Sequence, residues 1–522
     1  MISTLADILA ESATKYPNKT ALRVENSSLT FREVDEKCNQ LAHTLTVNGI
    51  KKGNCVGIYL NRCIESFIAV HAILKLGAIF VPIDAKSPIA RIKTIVEDCS
   101  IGTIITSEDQ SLCTAELQQV LPDLNYLGTS KGASSKTWEE IFSGTNRNHI
   151  NCAISSTDLA YIIFSSGSTG VPKGIVHTHY SGLSYAKQVA ELYNLNETDR
   201  IVNHSALSSD ISTLAYFASP MVGATTLLLS DMQCMVPASL SAFLEKESAT
   251  VWYSVPLALK QLLNYGAMQS RNLSALRWIL YAGEPIAVQD ACDLIKILPQ
   301  AMFSNIYGPT ETNQCTFYNF KEIDPEAQEI SLGTVWDAAE YLIIDENDKI
   351  ITNPIGTGEL VIHSSTTMKG YWKSKKPENE VFFWPKNVPS EKKYYRTGDI
   401  IRVDSQNQMF FIGRKDSQVK IQGYRVELKE IEHQLGRLYY LSDWAAIADK
   451  TTKDYAFIVV FVVLKNPKDQ NQRILIKDHL KQFLPSFAVP EKIVILNEMP
   501  YANSGKKDYK KLDDYSKTNY EG

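Results

Sequence analysis

A loop of hydroxyls and glycines, Ser165-Ser166-Gly167-Ser168-Thr169-Gly170-Val171-Pro172-Lys173-Gly174, follows directly on the apolar run Leu159-Ala160-Tyr161-Ile162-Ile163-Phe164. The run reads as a buried strand, and the loop suits a polyphosphate. Glycines let backbone N–H groups approach phosphate oxygens, hydroxyls donate further hydrogen bonds, and Lys173 adds a positive charge on a long stem. This is not a Walker loop. That pattern needs Gly-Lys followed by Ser or Thr, whereas Lys173 sits between Pro172 and Gly174. Standing alone, a Ser/Gly-rich stretch is as readily a plain turn or linker.

Four further motifs carry chemistry. Asn305-Ile306-Tyr307-Gly308-Pro309-Thr310-Glu311-Thr312 presents a hydroxyl and a carboxylate at a Gly-Pro turn. Glu311 could hold Mg²⁺, which bridges phosphate oxygens; taken singly, the stretch is a surface turn. In Tyr395-Arg396-Thr397-Gly398-Asp399, an acidic group after glycine can accept both hydroxyls of a ribose, or simply cap a turn. Gly413-Arg414-Lys415-Asp416 marks the start of a second domain. Asn503-Ser504-Gly505-Lys506 is a turn carrying a lysine, which alone reads as an exposed side chain.

These motifs need rigid elements behind them. Up to residue 150, helical patterns alternate with short apolar strands such as residues 55–60 and 101–106. The alternation continues through residues 224–229, 250–255 and 278–282, implying α/β layering. From about residue 330 to 412 the strands shorten and are punctuated by glycine, as in a β-rich lobe. After residue 414 a charged strand–turn–helix pattern begins, with a helix from Glu427 to Leu438. The expected fold is therefore α/β. Residues 1–413 form a large N-terminal domain of layered α/β lobes plus a β-rich lobe, and residues 414–522 a small mobile α+β domain. No long linker separates them, so any hinge is short. The polar tail after Leu512 is expected to fray.

Bulk properties narrow the class. The 522 residues are too many for one hydrophobic core. Hydrophobic content of 44% and charged content of 21% describe an ordinary globular protein. A net charge of −5 gives no footprint for nucleic acid. There is no apolar run long enough to span a membrane and no basic-then-apolar leader. Nine dispersed cysteines, without a Cys-x-x-Cys pair, argue for reduced thiols in a cytoplasmic setting.

Together and in this order, the five motifs resemble one family, the adenylate-forming enzymes: adenylation domains of nonribosomal peptide synthetases, acyl-CoA synthetases and luciferases. The resemblance covers nearly the whole chain. It includes Leu74-Lys75-Leu76-Gly77-Ala78-Ile79-Phe80-Val81-Pro82-Ile83-Asp84, Gly358-Glu359-Leu360 with Gly370-Tyr371, and Gln418-Val419-Lys420-Ile421-Gln422-Gly423-Tyr424-Arg425. One departure is Ser504, where the family usually has Asn. The resemblance implies that a substrate carboxylate attacks the α-phosphate of ATP and pyrophosphate leaves. By the same resemblance, the nucleotide is bound by Ser165, Ser166, Gly167, Ser168, Thr169, Gly170 and Lys173. Gly283, Glu284, Asn305, Tyr307, Gly308, Thr310, Asp399, Phe411 and Arg414 complete that set. Asp399 holds the ribose and Asn305 faces the adenine. Glu311 carries Mg²⁺ and Lys506 lies between carboxylate and phosphate. The small domain then turns about Asp416, and Lys420 and Gly423 come beside a channel for a phosphopantetheine thiol.

The substrate is implied by Asp210, within Ser209-Asp210-Ile211-Ser212. In amino-acid-activating members the matching Asp pairs with the α-ammonium, a cation whose unpaired burial costs several kcal/mol. Alternatively, Asp210 caps a helix starting near Ser212. The remaining pocket positions carry over to Ile211, Leu214, Tyr253, Leu280, Ala282, Ile306, Gln314 and Cys315. Mostly aliphatic walls disfavour charged side chains, and the set is similar to that of proline-activating members. Gln314 departs from it, since an apolar residue is common there and an amide can read a polar group. The expected activity is thus formation of L-prolyl-AMP and transfer to the thiol of a separate carrier protein; the chain ends about 16 residues after Lys506, too few for a carrier domain. Rivals are a D-alanine–carrier protein ligase, an acyl- or aryl-CoA ligase lacking any need for Asp210, and a non-catalytic nucleotide sensor.

Overall fold

Runs of Ile, Val and Leu without polar alternation become strands covered on both faces, as parallel sheets require. Cys55–Ile58, Ile79–Pro82, Thr225–Leu228 and Val251–Ser254 are buried along their whole length. The computed structural model describes residues 2–130, 135–167, 171–337, 339–351, 356–385, 392–450, 455–466, 472–501 and 507–518. They form two compact units. The larger comprises residues 1–85, 99–163 and 174–415; the smaller comprises 86–98, 164–173 and 416–522.

The larger unit is built on three sheets. The first has nine strands in the spatial order Thr334–Val335, Thr316–Phe320, Met302–Tyr307, Trp278–Ala282, Val251–Ser254, Arg200–Asn203, Thr225–Leu228, Thr20–Val24 and Ser27–Thr30. Its centre is parallel, as crossover helices demand. The second has seven strands and contains Leu159–Ser165 and Lys173–Thr178. The third is antiparallel, with Ala339–Ile344, Gly356–Ser364, Tyr394–Val403, Phe382–Phe383 and Met409–Arg414. This is the β-rich lobe expected between residues 330 and 412. The two faces of the nine-stranded sheet serve separate cores. Tyr253, Leu280, Ala282 and Ile306 join one, while Trp252, Ile279, Tyr281 and Phe303 join the other.

The smaller unit has a two-stranded ribbon, Gln418–Ile421 with Tyr424–Glu427, and a three-stranded sheet, Leu441–Asp449, Phe457–Leu464 and Lys492–Leu496. The expected helix from residue 427 to 438 is realised as Leu428–Leu435. A boundary was expected at residues 413/414; the units divide between residues 415 and 416, and two earlier segments group with the smaller one. Hydrogen bonds inside that unit explain the grouping. Arg91 pairs with Glu430, Gly167 N–H donates to Glu430, and Lys173 pairs with Glu427. The tail differs from expectation. Instead of fraying after Leu512, the chain forms a helix, Tyr509–Thr518. Leu512 is fully buried and the Ser516 hydroxyl donates to Asp449, so a mostly polar sequence is tied down by two inward side chains.

Four histidines of the larger unit are held in the neutral form, with His71, His177 and His179 buried and His204 half-buried. Burial pushes His177, His179 and His204 down to about 4 and His71 to about 3. Unfolding returns each to its ordinary value of 6.5, so the unfolded chain binds more protons between these limits. Their stabilising effect is therefore complete above the ordinary value and is lost as pH falls towards the depressed one. We expect the urea midpoint of the larger unit to fall steadily between about pH 6.5 and about pH 4.5, with a shallower slope in His177→Gln. A midpoint independent of pH over this interval would contradict the assignment.

Candidate functional site

Strand register assembles the pocket positions. Tyr253 lies opposite Leu280, Leu280 opposite Ser304, and Ala282 opposite Ile306. Because side chains alternate along a strand, these residues fall on one face, together with buried Leu214 and partly buried Ile211. Asp210 opens a short 3₁₀ turn, Asp210–Ser212, that runs into a π-helical stretch, Leu214–Ala218. Its carbonyl accepts from Thr213 Oγ1 at 2.5 Å, and Thr213 Oγ1 accepts from Asn313 Nδ2 at 3.2 Å. The segment is thereby tied to the turn beyond Glu311. The Asp210 carboxylate is close enough to Tyr161, Tyr185 and Tyr253 to add to the rise that burial imposes on all three phenols. These tyrosines stay protonated, so each can donate to a neighbouring charge.

Gln314 and Cys315 diverge. Gln314 is 1% exposed; its Nε2 donates to Tyr193 Oη at 3.1 Å, and Tyr193 Oη lies 3.1 Å from Ser304 Oγ. Cys315 is also buried, but it packs with Tyr307 and Leu332 in another cluster, with its thiol donating to the Tyr307 carbonyl at 3.4 Å.

The next residues of strand Met302–Tyr307 supply the second half of the site. Asn305 Nδ2 donates to the Ser331 carbonyl at 2.8 Å. Tyr307 Oη and Arg414 Nη1 each donate to one oxygen of Asp399. Arg414 Nη2 also donates to the Thr397 carbonyl at 3.2 Å. The Asp399 carboxylate is thus held from two sides, with lone pairs left for hydroxyl donors. Phe411 lies beside the same core as Tyr307. Gly308 is fixed sterically, because a Cβ there would come within 2.2 Å of the Asn313 carbonyl oxygen. Glu311 is 1% exposed and accepts from Tyr371 Oη at 2.6 Å, while Tyr371 Oη lies 3.3 Å from Tyr395 Oη. His177 Nε2 bonds the Thr310 carbonyl at 3.0 Å. Gly283 follows strand Trp278–Ala282 with φ 103°, and Glu284 comes next.

Other expected residues lie in the smaller unit. Ser166 Oγ donates to the Arg425 carbonyl at 2.8 Å and accepts from Glu427 N–H at 3.0 Å. Lys173 Nζ is 3.0 Å from Glu427. Ser165 Oγ lies 3.5 Å from the Ser166 carbonyl. Lys420 pairs across the ribbon with Arg425, and the ribbon turns at Gln422 and Gly423, with φ of 53° and 84°. Two successive positive φ values make a tight hairpin turn in which glycine is the natural second residue. Asp416 accepts from Gln418 N–H at 3.2 Å. Ser168, Thr169, Gly170 and Lys506 lie outside the described residues.

Several partners carried no motif. Tyr161, Tyr185 and Tyr193 look like core aromatics in sequence, and Ser304 is an ordinary strand residue. Tyr371 stood within a quoted motif, but its hydroxyl bond to Glu311 had no sequence signal. Among the described residues no group of three or more His, Cys, Asp or Glu side chains forms a metal cage, and no helix is long and apolar enough to cross a membrane.

The AMP-binding enzyme family matches residues 9–372, and the AMP-binding enzyme C-terminal domain matches residues 430–506. An L-proline–[L-prolyl-carrier protein] ligase of Pseudomonas fluorescens is 28% identical over 97% of both chains. One of the same description from Streptomyces coelicolor is 26% identical over 94% of this chain and 92% of its own length. Bacitracin synthase 3 of Bacillus licheniformis is 30% identical over 98% of this chain, which spans only 8% of that protein. Among solved structures, the Vibrio cholerae adenylation domain AlmE in complex with glycyl-adenosine-5'-phosphate superposes with a TM-score of 0.83. It is 23% identical and the match covers 99% and 98% of the two chains.

The bond from Tyr307 to Asp399 is the element of this geometry most open to test. Tyr307→Phe removes one hydrogen bond to a charged group, so affinity for ATP measured calorimetrically should weaken by about tenfold. Unchanged affinity would separate the Asp399 cluster from nucleotide binding.

Proposed function

The chain belongs to the family of AMP-binding enzymes, and from that premise we propose that it activates L-proline as prolyl-AMP and passes it to a carrier-protein thiol. It is an ATP-dependent, AMP-forming ligase. The reading rests above all on Asp210, a carboxylate placed near the buried, protonated Tyr161, Tyr185 and Tyr253, with Leu280, Ala282 and Ile306 continuing the row that Tyr253 begins. A carboxylate beside apolar walls is what an α-ammonium with a small apolar side chain requires. The names of the two stand-alone relatives support the choice of proline.

In the first step a substrate carboxylate oxygen attacks the α-phosphorus, and the bond to the bridging oxygen of pyrophosphate breaks. Two anionic reactants must meet, so the protein's task is positioning and charge compensation. Asp210 anchors the ammonium and points the carboxylate away from the pocket floor. Asp399, held by Tyr307 and Arg414, receives the ribose hydroxyls. Residues 165–174 receive the phosphates, and Lys506 bridges the two reactants. Glu311 is a single buried carboxylate steadied by Tyr371. Its oxygen donors fit Mg²⁺, an ion that retains waters and takes phosphate oxygens as further ligands. Bound there, Mg²⁺ would offset charge on the phosphates. In the second step the carrier's phosphopantetheine thiolate attacks the acyl carbon and AMP departs. The smaller unit, turning at Asp416, brings Gly423 beside the thiol's path.

Amino-acid-dependent ATP–pyrophosphate exchange tests the substrate. Across the standard amino acids, D-alanine and pipecolate, the strongest signal should come from L-proline; exchange led by another member would overturn the side-chain assignment. Lys506→Ala should abolish adenylate formation while ATP still binds, and near-normal pyrophosphate release would remove Lys506 from its role. Gly423→Leu should leave exchange largely intact and block thioester formation. Equal loss of both half-reactions would place the thiol path elsewhere.

A further inference from the structure

Burial demands partners for polar side chains, yet Tyr161 Oη, Tyr185 Oη and Gln314 Oε1 around the pocket have none in the protein. Of these, Gln314 Oε1 is a carbonyl oxygen and can only accept. Gln314 Nε2 is committed to Tyr193 Oη, but Oε1 is buried with no hydrogen-bond partner in the protein. The amide is also held in place. Tyr193 Oη is fixed by Ser304 Oγ, and Ser304 lies in the row Tyr253–Leu280–Ser304 that crosses three adjacent strands. The phenol of Tyr193 is near enough to Tyr253 to influence its proton affinity, as is the Asp210 carboxylate. Gln314 is thereby linked through Tyr193 and Ser304 to the face that carries this row, at a position where an apolar residue would have left no acceptor unsatisfied. An acceptor that the protein leaves unpaired in such a place is a demand on the ligand.

We propose that Gln314 Oε1 accepts a hydrogen bond from a hydroxyl on the substrate side chain, so that the site prefers a ring-hydroxylated proline to proline itself. This deepens, and rests on, the reading of the pocket as one for a five-membered imino acid. A hydroxyl is the group that fits. It donates to a carbonyl oxygen, adds little volume, and carries no charge for the aliphatic walls to reject. A site that hydrogen-bonds a substrate hydroxyl discriminates strongly against the analogue lacking it, because the protein's polar atom is then left unpaired. A merely apolar pocket gives no such discrimination.

The test is ATP–pyrophosphate exchange with matched pairs: L-proline against the cis and trans isomers of 4-hydroxy- and 3-hydroxy-L-proline, and L-valine against L-threonine. Each is measured for the native enzyme, Gln314→Val and Gln314→Glu. We expect one hydroxyproline isomer to exceed proline in kcat/KM by about tenfold or more, and Gln314→Val to reverse that order. Gln314→Glu, which keeps an acceptor oxygen at the same reach, should retain preference for the hydroxylated partner. If proline matches or exceeds every hydroxylated isomer and Gln314→Val leaves the ratio unchanged, the proposal is overturned and the prolyl reading survives. If no imino acid is activated yet the threonine-to-valine ratio falls in Gln314→Val, the five-membered reading fails and the role of Gln314 stands. If neither pair responds, both fail.

Discussion

Strand Met302–Tyr307 is the constraint on which both halves of the site depend. Strand side chains alternate between faces, so a one-residue slip exchanges every one of them. In the observed register, Ser304 and Ile306 lie beside Leu280 and Ala282 on the face that also carries Tyr253. Phe303 goes to the opposite core and Tyr307 reaches Asp399. One strand thus adds one set of residues to the face that carries Tyr253 and steadies a carboxylate with the other. The turn that follows is equally constrained. Gly308 leaves no room for a side chain, and the stretch beyond it delivers Glu311, Asn313 and Gln314 within six residues.

Burial then sets the chemistry. Phenols sealed from water resist ionisation, and the Asp210 carboxylate nearby reinforces that resistance. The result is a set of neutral phenols near the Asp210 carboxylate. Around Asp399 the logic is different. There an arginine and a phenol donate to the carboxylate, fixing its orientation.

Lys173 and Ser166 show how the partners of a motif can stay invisible in the sequence. In the smaller unit they bond Glu427 and the backbone at Arg425. These pairs are more than 250 residues apart in sequence. Nothing in a Ser/Gly-rich stretch encodes a partner at that distance. The C-terminal helix is a milder case. Its composition is polar, and among its described side chains only Leu512 and Ser516 are buried, too sparse a signal to distinguish a docked helix from a fraying tail.

The sequence by itself determined the layered α/β class, the β-rich lobe, the strands that deliver the motifs, and the residue types needed to activate a carboxylate with ATP. These are local properties: apolar runs, turn residues, and hydroxyl, glycine and acidic side chains at fixed offsets. Only the tertiary structure decided that Asp210 lies among Tyr161, Tyr185 and Tyr253, that Tyr371 holds Glu311, and that Gln314 gives its amide N–H to Tyr193 and keeps its oxygen unpaired. Each of those facts joins segments far apart in the chain. Their energies depend on distance and exclusion from water, which strand register and packing fix and residue order alone does not.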